Sequence, residues 1–180
     1  MLKDTKVIAA VRNEAELKSA ISSKAELIFD LSPNIISLKE RAESVHESGK
    51  KLCIHLDLAE GIGKDRYGIE YARTKGIDGI ISTRVNIIKA AREAGLFTVQ
   101  RFFIVDSHSL VTTVDAIRSS KPDMIEIMPG IIPKVIKDLR QNLTMPIIAG
   151  GLIDDISEVE LAVKCGAAAV STGKQQLWNM

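Results

Sequence analysis

Aromatic residues are scarce in this chain, at 4% of its 180 positions. A core for such a sequence must be built from Ile, Val, Leu and Ala, which suits stacked parallel strands covered by helices. Cysteine is almost as sparing: Cys53 and Cys165 are the only two. They lack metal-ligand spacing and read as buried thiols of a reducing compartment. Charge of one sign is missing too, with 24 basic residues against 23 acidic, a net charge of +1 and no run of like charges. The charge balance therefore gives no support of its own for nucleic-acid binding. No apolar run is long enough to span a bilayer. The N-terminus, Met1-Leu-Lys-Asp-Thr-Lys6, has no signal-peptide stretch. These absences predict a cytoplasmic protein without membrane contact. No linker or low-complexity segment interrupts the chain, so one domain over residues 1–180 is expected, long enough for a real core.

What the chain does have is alternation. Short, apolar, β-branched segments predict strands at Val7–Val11, Leu27–Asp30, Lys51–Leu56, Gly79–Ser82, Phe97–Ile104, Met124–Ile127, Pro146–Ala149 and Ala168–Ser171. Helical signals fill the gaps. Asn13 can cap a helix with Glu16 three residues on, Ser32 precedes a first-turn Pro33, and Ser157 with Glu160 forms a capping-box pattern. Ile35, Leu38, Ala42 and Val45 fall on one helical face. Eight βα units in regular order mean a parallel α/β sheet. A compact (β/α)8 barrel of the TIM type fits the count, although such barrels usually need about 200 residues or more. An open doubly wound sheet is the alternative. A weak internal repeat, Asp78–Arg84 against Ala167–Lys174, aligns Ser82 with Ser171 and suggests two four-unit halves.

In a barrel, function collects at the C-terminal ends of the strands. The last two strands end in small-residue turns, Gly150-Gly151 and Ser171-Thr172-Gly173. Such turns present backbone N–H groups, here with two added hydroxyls, and can cradle a phosphate. Other strand ends carry Arg12, the pair His55 and Asp57, Ser82 and Arg84, Arg101, and Glu126. His55 and Asp57 alternate with Ile54 and Leu56 and are expected to face the barrel mouth. They read either as a pair that bonds ligand hydroxyls or does acid–base work, or as a structural His held by a carboxylate. Glu126 lies in an otherwise apolar strand and needs a partner, for which Arg101 in the preceding strand is the natural choice. That pair is either a plain bridge or also a ligand contact. Arg84 and Lys174 follow the Ser-Thr turns and either add charge to an anion site or are ordinary surface residues. Gly61-Ile-Gly63-Lys64 matches no phosphate-binding fingerprint. No nucleophile-elbow triad and no Schiff-base Lys stands out. The sole tryptophan, Trp178, is expected to pack the C-terminal tail onto the barrel.

The blocks His55–Gly61, Asp78–Thr83, Gln100–Asp106, Pro122–Pro133, Ile148–Ile153 and Gly166–Thr172, followed by Leu177-Trp178, occur in an order that resembles the glycerol-3-phosphate-responsive antiterminators of bacteria. The resemblance runs from Val7 to Trp178. Met128 replaces the Leu common in that family, and Leu56 an Ile; both are mild apolar swaps. The resemblance implies a non-enzymatic barrel with no cofactor and no metal. Its effector would be sn-glycerol 3-phosphate and its partner the leader mRNA of glycerol-utilisation genes, as an RNA-binding regulator of transcription antitermination. It further implies that Gly150, Gly151, Ser171, Thr172 and Gly173 hold the phosphate. His55, Asp57, Glu126 and Ser82 would serve the glycerol moiety, with Arg101 supporting Glu126 or reaching the phosphate. The residues alone also admit an isomerase or lyase acting on a triose or polyol phosphate, or a ligand-binding module with a protein partner. A homo-oligomer is left open.

Overall fold

The computed structural model describes residues 5–180; part of the N-terminal stretch read for a signal peptide, residues 1–4, lies outside them. Eight parallel strands run in chain order: β1 Val7–Val11, β2 Leu27–Asp30, β3 Lys51–His55, β4 Gly79–Ser82, β5 Phe97–Phe103, β6 Met124–Met128, β7 Ile147–Gly150 and β8 Ala169–Thr172. Helices α1 Glu14–Ile21, α2 Leu38–Glu47, α3 Arg66–Thr74, α4 Val85–Glu93, α5 Ser107–Ser120, α6 Pro133–Asn142 and α7 Ile156–Lys164 cross back between them. β1 pairs with β2 on one side and with β8 on the other, where Val7, Ile8 and Ala9 register with Val170, Ser171 and Thr172. The sheet is thus a closed barrel, and the open-sheet alternative falls because no strand edge remains.

The period-2 alternation of each strand divides the apolar residues into two layers. Ile8, Phe29, Cys53, Ile81, Val99 and Ile148 fill the barrel interior. Their neighbours, such as Ile28, Ile54, Ile80 and Val170, point outward and pack beneath helix residues including Leu38, Val45, Ile69 and Ile87. With so few aromatics, branched aliphatic chains build both layers.

Several boundaries differ from expectation. Leu56 leaves β3 for a 3-10 turn, Leu56–Leu58. Ile104 lies beyond β5, though its N–H still reaches the Met128 carbonyl. β6 extends through Met128, while β7 and β8 each start and end one residue later than the apolar runs suggest. Pro146 has no N–H to give a ladder and contributes only its carbonyl, to Ile125. No helix follows Ser32-Pro33. The Asn34 side chain instead accepts from the N–H groups of Ile36 and Ser37, which holds the segment in a turn and delays α2 to Leu38. Ile35 is therefore off the buried face that Leu38, Ala42 and Val45 share. Asn13 does cap α1, accepting from Glu16 N–H at 2.9 Å. The cap of α7 is Asp155, with Glu158 reciprocating, rather than Ser157 with Glu160. After β8 a 3-10 turn, Gln175–Asn179, stands where an eighth helix would be. It buries Leu177 and Trp178 against the outer layer, and the Trp178 indole Nε1–H donates to the Thr172 carbonyl at 2.8 Å.

Candidate functional site

At the mouth of the barrel the inward-facing positions change from aliphatic to polar. Arg101 in β5 and Glu126 in β6 are register partners, and both are buried. Arg101 Nε donates to Glu126 Oε2 at 2.6 Å, while the Ser171 hydroxyl, from β8, donates to the other carboxylate oxygen. Both oxygens of a fully buried carboxylate are satisfied, which is the condition for keeping such a charge inside. Gly150 makes this possible: a Cβ there would lie 2.7 Å from Ser171 Oγ and collide with the Glu126 carboxylate.

Above this network opens a cleft of about 380 Å³. Arg12 and Lys174 join Arg101 in its lining, together with the carboxylates of Asp154 and Glu126. The Lys174 ammonium lies 3.3 Å from Asp154, and the Arg12 guanidinium lies beside Gly173, 3.2 Å from where a Cβ would stand. The turns after β7 and β8 supply the rest, through Gly151, Leu152 and Ile153 on one side and Thr172 and Gly173 on the other. Gly151 has φ +75°, and a Cβ on it would sit 2.8 Å from Met128 Cε. The N–H groups of Gly151 and Gly173 meet no acceptor among the described residues. Two unengaged amides beside three cations, two of which are paired with carboxylates, are groups that would suit an anion.

Of the residues singled out in the sequence, Gly151, Ser171, Thr172, Gly173, Arg101 and Glu126 line this cleft, and Gly150 lies just beneath it. The Thr172 hydroxyl is already committed, donating to the Ile153 carbonyl and accepting from Lys174 N–H, so it pins the two turns together. His55, Asp57 and Ser82 do not line the cleft; they belong to β3, β4 and their connections. Asp57 sits in the 3-10 turn, where it accepts from the Ser82 hydroxyl and from both the N–H and the hydroxyl of Thr83. Burial alone would raise its pKa, but these donors and His55 outweigh it and hold the carboxyl below its usual range. Arg84 leans toward the same carboxylate at 3.7 Å and does not line the cleft.

Ser82 also corrects the internal repeat. Ile81 faces the barrel interior, so Ser82 points outward, whereas Ser171 points inward. The true counterpart of Ser82 is Thr172: each accepts from the N–H two residues on, of Arg84 and Lys174 respectively. A one-residue slip between similar strands exchanges their two faces.

His55 is buried on the interior face of β3, and its Nδ1 has no hydrogen-bond partner among the described residues. Burial first, and then the charge of Arg101, pull its pKa down to about 4 against a weaker opposing pull from Asp57. The imidazole is therefore neutral at physiological pH. Sequence reasoning named Arg12 as a strand-end residue but gave it no role. The signal was present in the alternation Ile8, Ala10, Arg12, which turns Arg12 inward.

Among the described residues no helix is long and apolar enough to cross a membrane. The chain matches the model of the family described as glycerol-3-phosphate responsive antiterminator over residues 7–178. It is 37% identical to the Escherichia coli K12 protein YgcP, across the whole of this chain and 95% of that one. The crystal structure of the glycerol uptake operon antiterminator regulatory protein of Listeria monocytogenes superposes with a TM-score of 0.92 at 34% identity, covering 98% of this chain and 96% of that one. A glycerol uptake operon antiterminator-related protein from Thermotoga maritima gives 0.87 at 27% identity, covering 97% and 98%. With the family model spanning all eight strands and the turns after β7 and β8, the chain belongs to the glycerol-3-phosphate responsive antiterminator family.

Proposed function

We propose that this protein is a metabolite-sensing transcription antiterminator that binds sn-glycerol 3-phosphate in the mouth cleft and acts on the leader mRNA of glycerol-utilisation genes. The observation that carries the reading is the convergence of Arg12, Arg101 and Lys174 with the amides of Gly151 and Gly173 in one cleft. A phosphate monoester suits those donors. Arg12, Lys174 and the two turns take the phosphate. Glu126, Arg101 and Ser171, already fixed by mutual hydrogen bonds, present an orienting polar floor to the glycerol hydroxyls. His55, Asp57 and Ser82 act from outside the cleft, His55 as a neutral neighbour of Arg101 and the Asp57–Ser82 pair as a brace of the β3–β4 connection. The cleft binds without turnover. Its ligand acts as a switch by favouring the protein state that engages RNA, which requires unequal affinity for the two states.

Calorimetry with sn-glycerol 3-phosphate, inorganic phosphate and free glycerol tests the site. The phosphorylated triol should bind most tightly and glycerol most weakly. A mobility-shift series with leader RNA should show binding that strengthens with the metabolite and weakens with salt. Equal affinity for glycerol and its phosphate would overturn the cleft assignment. RNA binding indifferent to the metabolite would overturn the switch.

A further inference from the structure

Among the described residues, two that are not glycine adopt a left-handed backbone, Lys121 at φ +51° and Leu152 at φ +60°. The first has an ordinary reason: Lys121 closes α5, and its N–H returns to the Ile117 carbonyl. Leu152 ends no helix. It follows Gly151, itself at φ +75°, in the turn after β7. Both neighbours are fixed. Gly151 is packed against Met128, and Ile153 is buried with its carbonyl held by the Thr172 hydroxyl. The turn thus requires a left-handed residue at 152, and Gly or Asn would supply one with less steric conflict than Leu. Nor does the Leu152 side chain contribute to a core, since it is 66% exposed. A branched apolar side chain in a conformation that disfavours it, and facing water, gains no core contact that would offset the strain, which points to a role in the site it borders. It lines the anion cleft, between Gly151 and the Lys174–Asp154 pair.

We infer that Leu152 is a specificity-determining residue: its side chain covers the carbon backbone of the bound phosphate ester, so the cleft prefers a short phosphorylated polyol over inorganic phosphate. The inference rests on the assignment of this cleft to a phosphorylated ligand. The anion itself is held by amides and cations that Leu152 does not supply, which leaves its side chain to meet the ester's carbon chain. Leu31 and Met128 also line the cleft, Met128 packed against the neighbouring Gly151, so Leu152 extends its apolar lining.

The test is Leu152→Gly beside Leu152→Met. Leu152→Gly removes both side chain and strain. Its melting temperature should rise by about 3 °C, while affinity for sn-glycerol 3-phosphate falls about tenfold and affinity for inorganic phosphate stays within about twofold of wild type. Leu152→Met retains apolar cover and should keep the ester affinity. An unchanged ester affinity in Leu152→Gly overturns the inference. So does a parallel loss of both ligands, which would show that Leu152 only shapes the turn, or a melting temperature that does not rise, which would remove the strain. If wild-type protein binds neither ligand, it is the cleft assignment that fails, and that result is read before any variant.

Discussion

An imidazole enclosed beside a guanidinium makes stability depend on pH in a window of its own. The folded-state pKa of His55 is about 4, below the unfolded value of about 6.5. Between those values the unfolded chain takes up a proton that the folded chain refuses. Stability therefore falls as pH drops from about 6.5 to about 4 and levels off below, by about 3 kcal/mol at most. Asp57 and Asp78, whose pKa values are lowered, act in more acid solution: their contribution is present above the unfolded carboxylate pKa and is lost as pH falls through the lower folded value. Urea unfolding across pH 7 to 4 should show the slope in wild type and its loss in His55→Gln; the same slope in both would assign it elsewhere. Gly150 carries a steric prediction. Gly150→Ala pushes a methyl into the Ser171 and Glu126 side chains. It should cost about 2 kcal/mol in stability and abolish tight binding of the phosphate ester, as thermal melts and calorimetry would show. At this scale much of the site was readable. Burial demands a partner for Glu126, and Arg101 provides it. The exclusion of His55, Asp57 and Ser82 from the cleft was not readable, because it depends on which part of the barrel circumference opens.

Short elements are set by their ends. The turn after β7 enters α7 through a reciprocal cap, Asp155 accepting from Glu158 N–H at 3.1 Å while the Glu158 carboxylate takes the Asp154 N–H at 2.7 Å. Asp154 and Ile153 both line the cleft, so this cap steadies one of its walls. Asp155→Ala should cost about 1 kcal/mol and speed amide exchange in the first turn of α7, leaving α3 and its Asp65 cap unaffected; equal acceleration in both helices would contradict a local effect. The capping residue was misplaced in the sequence because Asp155-x-x-Glu158 and Ser157-x-x-Glu160 overlap, and local chemistry permits either. The same ambiguity misaligned Ser82 with Ser171. The presence of the elements was carried by periodicity, while their phase depended on ladder partners far away in the chain.

Across the whole molecule, regular βα alternation and the poverty in aromatics were enough to specify a layered parallel sheet. Closure was favoured by the count of eight units and the turns after the last two strands, and the register of Val7 with Val170 bears it out. The join is covered by the C-terminal 3-10 turn, whose Leu177 and Trp178 are buried in the layer that also holds Val7, Ala9 and Val170. Trp178→Ala should cost about 4 kcal/mol and raise amide exchange in β1 and β8 above that in β3 and β4; uniform exchange would argue against a local role in the closure. The mouth cleft was beyond composition, since balanced overall charge conceals three cations and two carboxylates gathered there. The lone indole has a practical use as well. Its nitrogen is tethered to the Thr172 carbonyl, and the next two residues, Gly173 and Lys174, form part of the cleft wall. The single indole of the chain is thus coupled to the cleft wall, so, if the cleft takes the proposed ligand, occupancy should be visible as a change in tryptophan emission, with no dye attached.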